Sequence, residues 1–210
     1  MSASILEVKE LTINFGGLIA VNNLDMKVDA GEAVGLIGPN GAGKTSAFNL
    51  ISGVYKPTHG RVFFNGEDIT GLPPHVISRK GIGRTFQIVK PFGSMTVLEN
   101  VMVGGFAHTS NRNKSKEIAL EVIEQVGLQR KANLLAKNLT IADRKRLEVA
   151  KALATNPKLL LLDEVLAGLN PTEVEEAVMM IKNLNKSGIS ILMIEHVLQA
   201  TMAICNHIVV

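Results

Sequence analysis

The stretch Gly38-Pro39-Asn40-Gly41-Ala42-Gly43-Lys44-Thr45 matches the pattern G-x-x-x-x-G-K-[ST]. At this spacing glycines let the backbone wrap a phosphate with its N–H groups. The lysine neutralises the β- and γ-phosphates, and the hydroxyl faces Mg²⁺. The flanks fit, because the apolar run Ala33–Gly38 enters the loop and "TSAFNLISG" reads as a helix stopped by Gly53. That context favours nucleotide binding over a chance match. A second signal is Leu159-Leu160-Leu161-Leu162-Asp163-Glu164. A buried strand ending in two acids delivers carboxylates to the sheet edge where ligands of open α/β folds sit. There Asp163 would support Mg²⁺ and Glu164 would polarise an attacking water. His196 follows "ISILMIE", a further apolar run, and would reach the same edge as a sensor of the γ-phosphate. Gln87, in "GRTFQ", taken alone reads as a polar loop residue. Finally, Thr140-x-x-Asp143 has the spacing of a capping box, in which two side chains satisfy free N–H groups at a helix start. Such a helix start is also a place for an anion.

These residues need a scaffold that brings them together, and the chain of 210 residues is long enough to bury a sizeable core. "KLLLLDE" and "ISILMIEH" are fully apolar strands of the kind found inside a parallel sheet covered on both faces. Residues Leu6 to Val28 read as short strand segments broken near "NFGG", and "GRVFFNGEDI" as a strand pair turned at Asn65-Gly66. From Thr96 to Leu135 the pattern is helical, interrupted by "HTSNRNKSK", and "TEVEEAVMMIKNLNKSG" is a helix with a glycine stop. Strands alternating with helices indicate an α/β fold with a mainly parallel sheet.

Composition narrows the partners. Hydrophobic residues make up 46% and charged ones 20%, with a formal net charge of +3. Nucleic acid is therefore not demanded, and with no Trp and one Tyr a base-stacking platform is not expected. Arg144-Lys145-Arg146 reads as a solvated helix face. The single Cys205 excludes an intrachain disulfide and fits a reducing cytosol. "MSASILEVKE" lacks the basic and apolar regions of a signal peptide. Glu195, His196, Gln199, Asn206 and His207 interrupt the apolar segment 189–210, which reads as strand, loop, helix and strand rather than a membrane span.

Taken in order, these motifs resemble the ATP-binding subunits of ABC transporters over essentially the whole chain. The Walker A loop (Gly38–Thr45), the Q-loop Gln87, a signature segment (Leu139–Asp143), Walker B (Leu159–Glu164), a D-loop (Ala167–Asn170) and the switch His196 follow in the family's order. "INFGGLIAVNNL", "GIGRTFQIVKPFGSMTVLENVMVG" and "LAGLNPTE" look most like the branched-chain amino-acid uptake group, whose near relatives serve urea-type solutes. The resemblance implies one cassette over 1–210: a RecA-like P-loop core, a small antiparallel β subdomain and a helical subdomain over about 88–155. It implies ATP and Mg²⁺ as cofactors, with Glu164, His196, Gln87 and Lys44 catalytic. Phe15 would stack on adenine, and Asn40, Gly41, Ala42, Gly43, Lys44, Thr45 and Ser46 would hold the phosphates. Thr45, Gln87 and Asp163 would face the metal. It also implies a head-to-tail dimer, homo- or heteromeric, in which Thr140 and Ala142 reach a partner's ATP. Further implied partners are transmembrane permease subunits and, indirectly, a solute-binding protein. The location would be cytoplasmic, peripheral on the inner face of the membrane.

The chain departs from the family pattern at several points. The usual LSGGQ is Leu139-Thr140-Ile141-Ala142-Asp143, the Pro after Walker B is Val165, and the D-loop's final Asp is Asn170. The family normally continues past "NHIVV", so a truncated chain with an unfinished sheet edge is expected. Other readings are a non-transport ABC ATPase, disfavoured because no heptad run separates Walker A from the signature, and a weakened, binding-only module. A small-molecule kinase would not need the later motifs.

Overall fold

The computed structural model describes residues 4–210; Met1–Ala3, part of the start read above as lacking a signal peptide, lie outside the described residues. Two strands of 12 residues each, β1 (Ser4–Phe15) and β2 (Leu18–Asp29), form an antiparallel hairpin turned at Gly16-Gly17. The expected break at "NFGG" is this turn. The strands are longer than the sequence suggests, because irregularities in register let polar residues interrupt the alternation without ending the pairing. β4 (His59–Phe64) pairs with β1 and β5 (Glu67–Asp68) with β4, completing an antiparallel sheet of order β2-β1-β4-β5. The β4–β5 turn is Asn65-Gly66, both at positive φ, as expected for that dipeptide.

The second sheet has the order β6-β7-β8-β3-β9, and every pairing in it is parallel. Its strands are β3 (Ala33–Leu36), β6 (Ile82–Arg84), β7 (Leu159–Asp163), β8 (Ser190–Ile194) and β9 (His207–Val209). All residues of β7 and β8 are buried, and they divide strictly by parity. Leu160, Leu162, Ile191 and Met193 pack among the helices α3 (Val97–Gly105), α4 (Arg112–Gln125), α5 (Ile141–Leu153), α6 (Pro171–Lys186) and α7 (Leu198–Ile204). Leu159, Leu161, Leu192 and Ile194 pack against α1 (Lys44–Ile51), α2 (Pro74–Lys80) and the antiparallel sheet. A parallel sheet buried on both faces is what the unbroken apolar runs require. β3 lies close to α7: a Cβ on Gly35 would stand 2.6 Å from the Thr201 methyl.

Two elements went unread in the sequence, α2 and β6. β6 has only three residues, Ile-Gly-Arg, too short to show a period. The helical stretch from 96 is interrupted at 106–111, not across all of "HTSNRNKSK", since Asn111 caps α4 by accepting from Asn113 and Lys114. α3 starts with a full capping box, Thr96 with Glu99. One turn on, buried Asn100 accepts from Phe92 N–H at 2.9 Å and donates to the Phe92 and Thr96 carbonyls. That amide fixes the segment following Gln87. No helix among the described residues is long and apolar enough to cross a membrane.

Candidate active site

Because the second sheet is parallel, the carboxyl ends of its strands lie along one edge. Four adjacent ones carry chemistry: β6 leads to Thr85 and Gln87, β7 ends at Asp163-Glu164, β8 runs into Glu195-His196, and β3 feeds the loop 38–43. The loop turns into α1 through Gly43, at φ 87°. A Cβ there would stand 2.0 Å from the Ala20 carbonyl oxygen, so both conformation and space require glycine. Lys44 is buried, and its Nζ donates to the carbonyls of Gly38 (2.8 Å) and Pro39 (2.9 Å). Thr45 is exposed on the first turn of α1. A cleft of about 360 Å³ is lined by Leu18, Ile19 and Ala20, by all of residues 40–46, and by Gln87 and Glu164.

Glu164 is the focus of the acid side. It sits at positive φ (50°), strained for a residue with a Cβ, and its N–H is held by the Ile194 carbonyl at 2.9 Å. Gln87 Nε2 donates to its Oε2 at 2.7 Å, and His196 Nε2 lies 2.9 Å from its Oε1, the N–H facing the carboxylate. Each carboxylate oxygen keeps a further lone pair for a water. Lys145, on α5, donates from Nζ to the Glu164 carbonyl at 2.7 Å.

Beside it, Asp163 is 1% exposed. Burial pushes its carboxyl above the usual range, against the opposing pull of Arg84, whose Nη2 is 3.3 Å from Oδ2. Its N–H donates to Thr85 Oγ1 at 3.0 Å. Oδ1 is buried without a protein partner. An orphaned carboxylate oxygen suits a hard cation or a water bound to one, so the residues present fit Mg²⁺. Buried Glu195 accepts from Leu166 N–H at 2.7 Å, and burial raises its carboxyl to about 6.

The start of α5 differs from its sequence reading. Thr140 Oγ1 accepts from Asp143 N–H at 3.2 Å, but the Asp143 carboxylate does not return to the Thr140 backbone. It accepts instead from Thr140 Oγ1 at 2.8 Å and from Lys131 Nζ. Asp is one methylene shorter than the Glu of a full box, so the reciprocal bond is not made. Arg146 also favours the Asp143 charge, through space and less than Lys131 does. Arg144 donates to the Lys137 carbonyl and Arg146 pairs with Glu176, leaving Lys131 as the direct partner. Burial disfavours the Asp143 charge, yet the Lys131 and Thr140 bonds outweigh it and hold the carboxyl below its usual value.

Comparison with known proteins decides the family. The ABC transporter family pattern matches residues 21–167. The high-affinity branched-chain amino acid transport ATP-binding proteins BraF of Pseudomonas aeruginosa and LivG of Escherichia coli are 42% and 41% identical, each across all of this chain and 89% of its own length. The chain belongs to the ABC transporter family. A nucleotide-free ATP-binding cassette of an ABC transporter superposes with a TM-score of 0.90 at 31% identity, over 98% of this chain and 87% of that one. The dimeric post-hydrolysis cassette MJ0796 bound to ADP and Pi gives 0.83 at 27%, over 94% and 90%. The two sheets with their helices are thus the RecA-like core and antiparallel β sheet of an ABC ATPase.

Within this cassette the structure brings together residues 40–46, Gln87, Asp163, Glu164 and His196. Phe15 lines no part of the cleft and rests edge-on against Tyr55, with ring centroids 5.3 Å apart. Thr140 and Ala142 sit at the start of α5 and line no part of the cleft, and Thr140 is exposed. Asn170, the altered D-loop position, caps α6 in a full box with Glu173. Sequence reasoning missed Arg84, Thr85, Lys145 and Glu195. The one available signal was position: Arg84, Thr85 and Glu195 stand at strand ends beside the recognised motifs, and Lys145 follows the capping-box spacing on α5.

Proposed function

We propose that this chain is the ATP-hydrolysing subunit of an importer for branched-chain amino acids or a similar small polar solute. The observation that carries the reading is Glu164, held between Gln87 and His196 while lining the same cleft as residues 40–46. In this reading the N–H groups of 40–46 and Lys44 hold the β- and γ-phosphates, and Phe15 stacks on the adenine. Bound Mg²⁺ would neutralise charge building on the transferred phosphoryl group. Thr45, Gln87 and Asp163 would hold that ion. Glu164 orients the attacking water and takes its proton, and His196 and Gln87 hold Glu164 in place and sense the γ-phosphate.

The same reading places Thr140 and Ala142 against the ATP of a second ATP-binding subunit, and residues 88–155 as the helical arm that couples closure to permease subunits. The subunit then sits on the cytoplasmic face of the membrane and works with a solute-binding protein. BraF and LivG, named for branched-chain amino acid transport, support the solute class. The dimeric MJ0796 cassette supports the pairing.

Replacing Glu164 by Gln tests it. The variant binds ATP as tightly as the parent, turns over at least about a hundredfold more slowly, and accumulates as an ATP-bound dimer in size-exclusion chromatography. Turnover unchanged in that variant removes Glu164 from its role and the reading with it.

A further inference from the structure

Arg84 lies where the three elements carrying the metal-facing groups meet. Its side chain is 7% exposed, within β6, three residues before Gln87. Nη2 reaches Asp163 Oδ2 at the end of β7. Nη1 donates to Asn49 Oδ1 and Ser52 Oγ, both at 2.7 Å, on and just after α1, the helix whose first turn carries Thr45. The guanidinium is flanked by Phe86, 5.0 Å from its ring centroid, and Phe48, at 5.8 Å. We propose that Arg84 is a positioning residue for Mg²⁺, spanning β7 and α1 so that Asp163 and Thr45 stand at a fixed separation with Asp163 Oδ1 free to face the ion. This rests on the Mg²⁺–ATP reading above and adds a residue to it.

The geometry argues for a positioning role over a purely structural pair. A buried ion pair is a poor device for stability alone, since apolar replacements often do as well. This pair is also incompletely satisfied: Arg84 Nε and Asp163 Oδ1 are both buried without partners. A bridge built for packing would leave neither. Holding one carboxylate oxygen while freeing the other is instead what a metal ligand needs from its neighbours. The guanidinium carries its donors on separate nitrogens of one rigid plane, so Nη2 meets Asp163 while Nη1 meets Asn49; a lysine's donors all sit on one nitrogen and hold no such fixed span. Thr85 Oγ1, taking the Asp163 N–H, holds the backbone of the same residue.

The test separates metal from nucleotide. Nucleotide affinity is measured for the parent, Arg84→Lys, Arg84→Gln and Asn49→Ala, with Mg²⁺ and in EDTA. Mn²⁺ binding to the nucleotide complex is followed by electron paramagnetic resonance. In Arg84→Lys the affinity for Mn²⁺ falls about tenfold, with a changed spectrum, while nucleotide affinity in EDTA stays within about twofold. Asn49→Ala, which keeps the ion pair and leaves only Ser52 to tie Arg84 to the end of α1, shifts in the same direction by a smaller factor. Arg84→Gln falls at least as far as Arg84→Lys if it folds; if it does not, the other two variants decide. Equal losses with and without metal, or Mn²⁺ binding unchanged in folded Arg84→Lys, overturn the role of Arg84 alone. A parent whose nucleotide complex binds no Mn²⁺ overturns the Mg²⁺ reading, and this proposal falls with it.

Discussion

The strand-end edge and the start of α5 are both read as phosphate-facing, yet they are built in opposite ways. At the edge, backbone and burial set the geometry: Gly43 has no room for a Cβ, and Asp163 and Glu195 are sealed off from solvent. At α5 the arrangement is made of side chains bonded to one another around a buried Asp143. Thr140 and Asp143 bond to each other, Lys131 closes the pair, and Ile141 stays 63% exposed. A site made from packing tolerates few replacements, whereas one made from side chains can be rebuilt from other residues. That accounts for an unaltered Walker A loop alongside a rewritten signature.

Three variants press on this contrast. The largest effect belongs to Lys44→Ala, which removes a charge-assisted contact worth roughly 1.5–3 kcal/mol. Calorimetric titration of the isolated chain then gives nucleotide affinity lower by about ten- to a hundredfold. An unchanged affinity would mean the edge does not depend on its lysine. Next comes Glu195→Gln. A carboxyl raised from 4.5 to about 6 by burial binds its proton more tightly when folded, so its contribution is full below 4.5 and lost as pH rises through 6. Glutamine still accepts from Leu166 N–H and carries no charge. The variant is therefore more stable than the parent by up to about 2 kcal/mol at pH 8, and the gain shrinks towards zero near pH 4.5. Urea melts at the two pH values check it, and a gain independent of pH refutes the assignment to burial.

The smallest effect is Thr140→Ala, the loss of one helix cap, costing about 1 kcal/mol. Nucleotide affinity of the isolated chain stays the same, while cooperative ATPase activity of the assembled transporter drops. Were affinity of the lone chain to fall as in Lys44→Ala, the two regions would not be separate and α5 would be serving its own chain's nucleotide.

Much of the edge was legible in the sequence because each part was advertised by a long apolar run ending in a polar residue. Asp163, Glu164 and His196 follow buried strands whose unbroken hydrophobicity has few other readings. Gln87 became readable only through its place in the motif order, since β6 is three residues long and its register is set by β7. Arg84 and Glu195 were invisible for a different reason: a charged residue beside a motif looks solvated until the packing shows it is not. At α5 the cap was legible from Thr140, but the partner of Asp143 was not. Lys131 precedes it by 12 residues, and only the turn at 129–131 brings the two together. Phe15 has a neighbour that no local pattern announces, for its ring meets Tyr55 edge-on.

The clamp on Lys44 bears on the entropy of binding. With Nζ already bonded to two loop carbonyls, folding has frozen the side chain and stripped its water beforehand. The third N–H stays open to an arriving phosphate oxygen, which meets a side chain with little rotational freedom left to lose. The entropy of docking then reflects mainly the release of water from the ligand rather than from the lysine.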